Sequence, residues 1–365
     1  MDSVTQAALG AGIAGALMGR RYGRRALLAG AALGTLPDLD VLIHYGDPIA
    51  QMINHRGFSH SLFVLTALSM GLAWLAQRLK LLGNGQGYGR LWLTLWLILI
   101  THPLLDAFTS YGTQLWWPLR PTPASWSSVF IIDPFYTLPL LAGILVALVV
   151  GLRPALCRAL TWLLIIGAGY LLASLGAKHW AEQRVHDMLV EQGRRPVAMF
   201  SSPQPLNIIL WRVVARMEDG NYVEAITGML DQRPPEFIDF PSHARLGAAL
   251  APRESLEGLR WFTGDWLRYD DIDGHMVVTD LRMGIGTGHY SFRFLVGVKD
   301  LATDQWKAVT PSYWQGGPAR RDMAALKTTL KRVWDTASPL PLMMWDTRMT
   351  SGSENLGVPE PAGGT

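Results

Sequence analysis

The sequence predicts an α-helical polytopic membrane domain of about six transmembrane helices, residues 1–177, followed by a soluble α+β domain, residues 178–365. Three observations carry this. Hydrophobic residues make up 49% of the chain and charged residues only 17%, a balance more apolar than soluble proteins show. The apolar runs are confined to the first half. Beyond residue 177 no run has the roughly 20 apolar residues that a bilayer span takes.

The apolar segments fall at 3–19, 26–43, 60–77, 91–110, 135–152 and 159–177. In the first, "GAGIAGALMG" places small residues at helical spacing, which suits close helix packing in lipid. "MDSVTQAALGAGIAGALMG" has no basic stretch ahead of its apolar run, so it reads as a retained helix and not a signal peptide. The connecting loops alternate in charge. Arg20, Arg21, Arg24 and Arg25 follow the first segment; Arg78, Lys80 and Arg90 lie between the third and fourth; Arg153 and Arg158 lie between the fifth and sixth. The positive-inside rule assigns these loops to the cytoplasm and both chain ends to the opposite face.

The second half begins with a connecting helix, "GAKHWAEQRVHDML". A helix is expected near "PLNIILWRVVARM" and turn-rich strands in "MVVTDLRMGIGTGHYSFRFLVGV". "GIGTG" has no helix after it and is no nucleotide loop. The tail "SGSENLGVPEPAGGT" is expected to be disordered. A net charge of +3 gives no concentrated basic face, so no nucleic-acid partner is expected. The single cysteine, Cys157, excludes an intrachain disulfide and a cysteine-type zinc site.

Charged groups in or beside a bilayer cost several kcal/mol, by estimates that vary widely, and mark function or pair with one another. Four clusters stand out: Asp38 and Asp40 in "GTLPDLD"; His55, Arg56, Ser59 and His60 in "NHRGFSHS"; His102, Asp106 and Thr109 in "THPLLDAFTSYGT"; and Asp133 in "IIDPFYT". The arginines alone set the orientation, yet all four clusters fall on the outer side and can converge. His102 and Asp106 are one helical turn apart and share a face. His55 is expected in a loop that folds back toward His60, with His60 in the first helical turn and Ser59 as its N-cap. An irregular turn after Pro37 would aim Asp38 and Asp40 inward.

Imidazole with carboxylate suits a divalent ion such as zinc or manganese, or iron, better than calcium. The metal ligands are therefore sought among His55, His60, His102, Asp106, Asp38 and Asp40, enough for one or two ions. Asp133 reads equally well as a helix start. His243, His275 and His289 have no ligand spacing, and His179 and His186 look structural.

"MDSVTQAALGAGIAG", "GTLPDLDVL", "HRGFSHSL" and "THPLLDAFTSYGTQLWWP" together resemble the YdjM-like group of bacterial inner-membrane proteins, described as membrane-bound metal-dependent hydrolases, with its LexA-regulated members. The resemblance covers about the first 140 residues, and the second half matches the longer branch of the group. It implies a hydrolase of the bacterial inner (cytoplasmic) membrane, with ligands among the six residues just named. Many relatives carry a histidine in the first segment, where this chain has Gln6 after Thr5. Gln6 and Asp2 are candidates for a supporting role there.

The expected function is hydrolysis of an ester or phosphoester by a metal-activated water. The protein would be multi-pass, with both termini and the site facing the periplasm or exterior, and its partners would be the lipid bilayer and a small-molecule or lipid substrate. Asp38 or Asp40 would be ligand or general base. Arg56 is expected at the rim, open to water, where its planar fork would meet an anionic group. One alternative is a divalent-metal transporter, which calls for a site near the bilayer midplane with access from both faces. The other is a non-catalytic membrane anchor with a structural metal.

Overall fold

The computed structural model describes residues 1–81, 87–250, 253–285, 288–300, 302–314, 323–338 and 340. The expected disordered tail lies outside the described residues. All six apolar segments are helical. They form α1 (Ser3–Tyr22), α2 (Arg24–Gly34), α4 (Leu62–Arg78), α5 (Tyr88–Ala107), α6 (Pro134–Val150) and α7 (Pro154–Glu191). A short α3 (Pro48–Asn54) precedes α4, and two 3-10 turns, Leu36–Leu42 and Phe58–His60, interrupt the chain.

These helices differ in reach. Among the described residues, α7 is the one helix long and apolar enough to cross a membrane unaided. A second qualifies if Pro48–His60 and α4, bent by 45°, count as one broken span. With 11 residues, α2 reaches about 16 Å, half a bilayer core. The expected six spans are therefore six helices of unequal length.

Small residues decide how α1 meets α2. A Cβ on Gly10 would lie 2.2 Å from the Gly30 carbonyl oxygen, and one on Gly34 would lie 2.6 Å from that of Gln6. Only hydrogen at these positions permits the approach. Arg24 donates to the Leu148 and Val149 carbonyls, and Arg90 to that of Leu17. These bonds gather the arginine-bearing ends of the helices at one end of the bundle. Gln6, both 3-10 turns and the C-terminal end of α5 lie at the other.

The second half is sheet-rich. β1 (Pro196–Pro203), β2 (Leu210–Met217), β3 (Tyr222–Gly228) and β4 (Glu236–Phe240) form an antiparallel sheet in sequence order. Next come α8 (Ala244–Ala248), α9 (Glu254–Thr263), β5 (Leu267–Ile272), β6 (His275–Asp280), the hairpin β7 (Gly284–Ile285) and β8 (His289–Tyr290), β9 (Arg293–Lys299) and β10 (Trp306–Tyr313). The second sheet runs β10-β9-β6-β5. The last described helix is α10 (Met323–Trp334).

The helix expected near "PLNIILWRVVARM" is strand β2. Trp211, Val213, Ala215 and Met217 pack with Ala177, Ala181 and Val185 of α7, while Val214 joins the cluster on the other face. That alternation is the period of a strand, and the intervening arginines fooled a helical reading. The expected connecting helix is the second half of α7, which runs unbroken through residue 177. The two halves of the chain meet elsewhere too. Ile49, Met52 and Tyr111 share one core with Leu256, Leu259 and Phe262.

Candidate metal centre

Four side chains from three segments converge at one end of the helical bundle. Asp38 comes from the first 3-10 turn, His60 from the second, and His102 and Asp106 from the last turns of α5. One ligand atom from each lies within 4.8 Å of all the others. His60 Nε2 is 3.1 Å from His102 Nε2. Asp106 Oδ2 is 3.3 Å from His60 Nε2 and 3.5 Å from His102 Nε2. Asp38 Oδ1 is 3.5 Å from His60 Nε2 and 3.3 Å from His102 Nε2. Ligand atoms around a tetrahedral zinc, each at about 2.0–2.1 Å, stand about 3.3–3.4 Å apart. These five separations scatter about that value.

The hydrogen bonds behind these atoms fix which lone pairs point inward. His102 Nδ1 is 2.6 Å from the Gly34 carbonyl oxygen, which has no proton to give, so Nδ1–H donates. The Ser59 hydroxyl donates to Asp40 Oδ2 at 2.6 Å and accepts from His60 Nδ1 at 2.9 Å. In the neutral rings both Nε2 atoms are therefore bare, and they face each other. Asp106 is equally one-sided. Its Oδ1 accepts from Gln6 Nε2 at 3.1 Å, from the Met1 amino group, and lies 3.3 Å from Arg56 Nη2. Its Oδ2 is buried without a hydrogen-bond partner. Three acceptors pointing at one another repel unless a cation lies among them. The residues present thus fit a divalent ion, and the bonds to Gly34 and Ser59 are the outer contacts that orient metal-binding histidines.

His55 and Asp40 stand outside this group. His55 Nδ1 is 2.8 Å from Asp40 Oδ1, and Asp40 Oδ2 also accepts from the Arg56 backbone N–H at 2.9 Å. Asp40 is thus a buried brace for the loop that carries His60. In the 3-10 turn, alternate residues diverge, which separates Asp38 from Asp40. His60 precedes α4, whose N-cap is Ser61 and not Ser59.

Arg56 departs from its expected place. Its side chain is only 5% exposed, and its guanidinium faces Asp106 and Thr109 Oγ1, the latter at 3.3 Å. Buried against a carboxylate, it is not the open anion receptor that its position beside the histidines suggested. Asp133 caps α6, accepting from the Phe135 and Tyr136 N–H groups at 3.0 and 3.2 Å and from the Tyr170 hydroxyl at 2.8 Å. Asp2 caps α1.

Sequence reasoning did not find the Gly34 carbonyl as the partner of His102 Nδ1. Gly34 closes the small-residue pattern of α2, a signal of close packing that gives no hint of a histidine partner.

A family model described as "YdjM inner membrane protein" matches residues 1–181. The chain is similar to "Inner membrane protein YbcI" of Escherichia coli (strain K12), with 35% identity over 94 residues, 26% of this chain and 52% of the relative. It is also similar to "Uncharacterized protein YfhP" of Bacillus subtilis (strain 168), with 26% identity over 169 residues, 46% of this chain and 49% of the relative. The chain spans about half the length of these curated relatives. No solved structure matches it.

Proposed function

The chain belongs, through residues 1–181, to the YdjM inner membrane protein family, and from that premise we propose that it is a membrane-embedded, metal-dependent hydrolase. The helical bundle sits in the inner membrane. Its apolar surface supports this: Trp74, Leu138, Val149, Trp162 and Leu172 are each more than half exposed, which a water-soluble bundle avoids. The metal-binding end faces the periplasm, opposite the arginine-bearing end.

One observation carries the catalytic reading. The side chains of His60, His102 and Asp106 are at most 1% exposed, whereas that of Asp38 is 20% exposed. The centre is closed on three sides and opens at Asp38. Two imidazoles and one carboxylate with an open fourth position is the arrangement of hydrolytic zinc sites. A divalent ion held there supplies Lewis acidity and a nucleophilic water near neutral pH. Asp38 lines the open side, where its carboxylate would serve as the general base. Arg56 and Gln6 hold Asp106 Oδ1, which keeps Oδ2 aimed inward. The substrate is an ester or phosphoester on an amphipathic molecule. Leu39, Val41, Leu42 and Phe58, beside the ligands, are all exposed and give the opening an apolar border.

A second reading has support of its own. Four groups at tetrahedral spacing would also close around a structural ion. Asp38→Asn in the detergent-purified full chain separates the two. As a hydrolase, the variant keeps about one zinc or manganese per chain and loses most turnover of p-nitrophenyl ester or phosphoester probes, at least ~100-fold. Loss of the ion together with thermal stability, with no turnover in the parent protein, overturns the hydrolase in favour of the structural centre.

A further inference from the structure

We infer that the sheet-rich half completes the metal centre: a slot between Phe262 and Phe292 holds Tyr111, and the Tyr111 ring holds Arg56 against Asp106. The inference rests on the metal reading above and assigns a role to residues that are not themselves ligands.

The chain of contacts starts at the ligand. Arg56 Nη2 lies 3.3 Å from Asp106 Oδ1, and Nη1 lies 3.3 Å from Thr109 Oγ1. Both are long for charge-assisted bonds, which run about 2.7–2.9 Å. Nε is buried without a partner. Polar contacts alone hold the guanidinium loosely. What faces it broadly is the Tyr111 ring, with Arg56 Cζ 5.0 Å from the centroid, a distance at which a cation is attracted to an aromatic face. The backbone adds direction, because Arg56 has φ +64°, and the left-handed conformation fixes where its side chain starts.

Tyr111 is in turn held from both halves, its ring also 5.6 Å from that of His55. Its ring meets Phe262 at 5.7 Å and Phe292 at 5.6 Å, both edge-on. Its hydroxyl donates to the Met52 carbonyl at 3.0 Å. Gly112, at φ +108°, brings the next turn so close that an added Cβ would lie 3.4 Å from both Phe262 and Arg282. Phe262 itself is fully buried. Arg282 lies over its ring at 5.3 Å and is clamped by Asp280, with bonds of 2.9 and 3.1 Å. Rigid support therefore runs from the end of β6 to Asp106. Removing either phenylalanine lets the tyrosine ring turn, withdraws the wall behind Arg56 and frees Asp106 to swing Oδ2 out of line. Tyr111 and Phe262 are positioning residues: neither is a ligand.

Zinc affinity of the full chain in detergent, read by competition with a chromophoric chelator, tests this without any assay of turnover. Loss of an outer contact to a metal ligand weakens binding by about 10–100-fold. Tyr111→Ala and Phe262→Ala should fall in that range, and Tyr111→Phe, which keeps the ring, should stay within about twofold of the parent. Phe262→Leu keeps most of the volume and should still weaken zinc about threefold or more, which covers the case in which the alanine variant does not fold. Phe240→Ala is the control. Phe240 packs in a separate cluster with Tyr222 and Trp266, so its loss loosens the same half without touching Tyr111. Parental affinity in the Phe262 variants, or equal weakening by Phe240→Ala, overturns the inference and leaves the metal centre standing. A parent protein that takes up no zinc overturns both.

Discussion

Both halves of the molecule bury charge, but they do so differently. In the sheet-rich half each buried carboxylate among the described residues meets a permanent cation. Arg212 Nη2 donates to Glu224 Oε2 at 2.8 Å, and the Tyr290 hydroxyl donates to the same oxygen at 2.6 Å. Arg332 binds both oxygens of Asp231 at 2.7 Å. At the end of the helical bundle the arginine takes one oxygen of Asp106, while the other faces two imidazole nitrogens whose protons point away. Glu224 Oε1 and Asp270 Oδ2 also lack partners, yet among the described residues neither belongs to a group of three or more converging metal-binding side chains. A lone unpartnered oxygen is therefore a weak sign. Several acceptors aimed at one point are a strong one.

The sharpest break of this comparison removes one member from each half. His102→Ala should take the metal content of the purified chain from about one equivalent to near zero, as elemental analysis would read. Glu224→Ala should leave metal content unchanged and destabilise the second half by about 3–5 kcal/mol, the usual cost of stranding a buried arginine. Metal loss in the Glu224 variant, or retention in the His102 variant, would erase the distinction.

A smaller effect tests how packing reaches the site. Gly34→Ala places a methyl group 2.6 Å from the Gln6 carbonyl oxygen, and α1 and α2 must part. Gly34 also presents its carbonyl to His102 Nδ1, and Gln6 donates to the His102 carbonyl and to Asp106. The cost of overpacking is about 1–3 kcal/mol. Zinc affinity should fall about tenfold beside it. The same change at Gly71, whose added Cβ meets nothing within 4 Å, should leave affinity unaltered.

How much of this was legible in the sequence follows from what each signal depends on. The pairing of His102 with Asp106 needs only helical spacing, and it could be read directly. Helices at all six apolar segments followed from composition, but their reach did not, because the 3-10 turn after Gly34 shortens α2. Asp38 and Asp40 looked equivalent, and only a three-dimensional turn shows that one faces the histidines while the other braces a loop. Arg56 beside two histidines suggested an open anion receptor. It is buried instead, facing Asp106 and the Tyr111 ring, and Tyr111 in turn meets Phe262 and Phe292 across more than 150 residues, contacts that no local pattern announces. Strand β2 was misread for a related reason: Arg212 and Arg216, whose partners Leu281, Tyr290 and Gly264 lie far along the chain, look like the polar stripe of a helix.

The smallest predicted effect is a difference in the sign of pH dependence between the halves. Metal ligands must be deprotonated to bind, so acid weakens the metal centre and whatever stability the ion lends to the bundle. In the second half His243 should act the other way. Its Nδ1 lies 2.8 Å from the Tyr269 carbonyl oxygen and 3.5 Å from Asp270 Oδ1. The hydrogen bond to Asp270 raises the His243 pKa above its ordinary 6.5. A raised value means the folded state binds the proton more tightly than the unfolded chain. The resulting stabilisation is fully present below about pH 6.5 and is lost as pH climbs through the folded-state value. The side chain is 43% exposed, so screening holds the effect to at most about 1 kcal/mol. His243→Asn isolates it, because asparagine tolerates the left-handed backbone at this position, φ 51°. Urea unfolding of the second half should show the parent more stable than the variant at about pH 5.5, with the gap narrowing by about pH 8.5. The metal centre is common to both proteins and cancels in that difference, so a gap that widens with pH would mean that Asp270 does not hold the His243 proton.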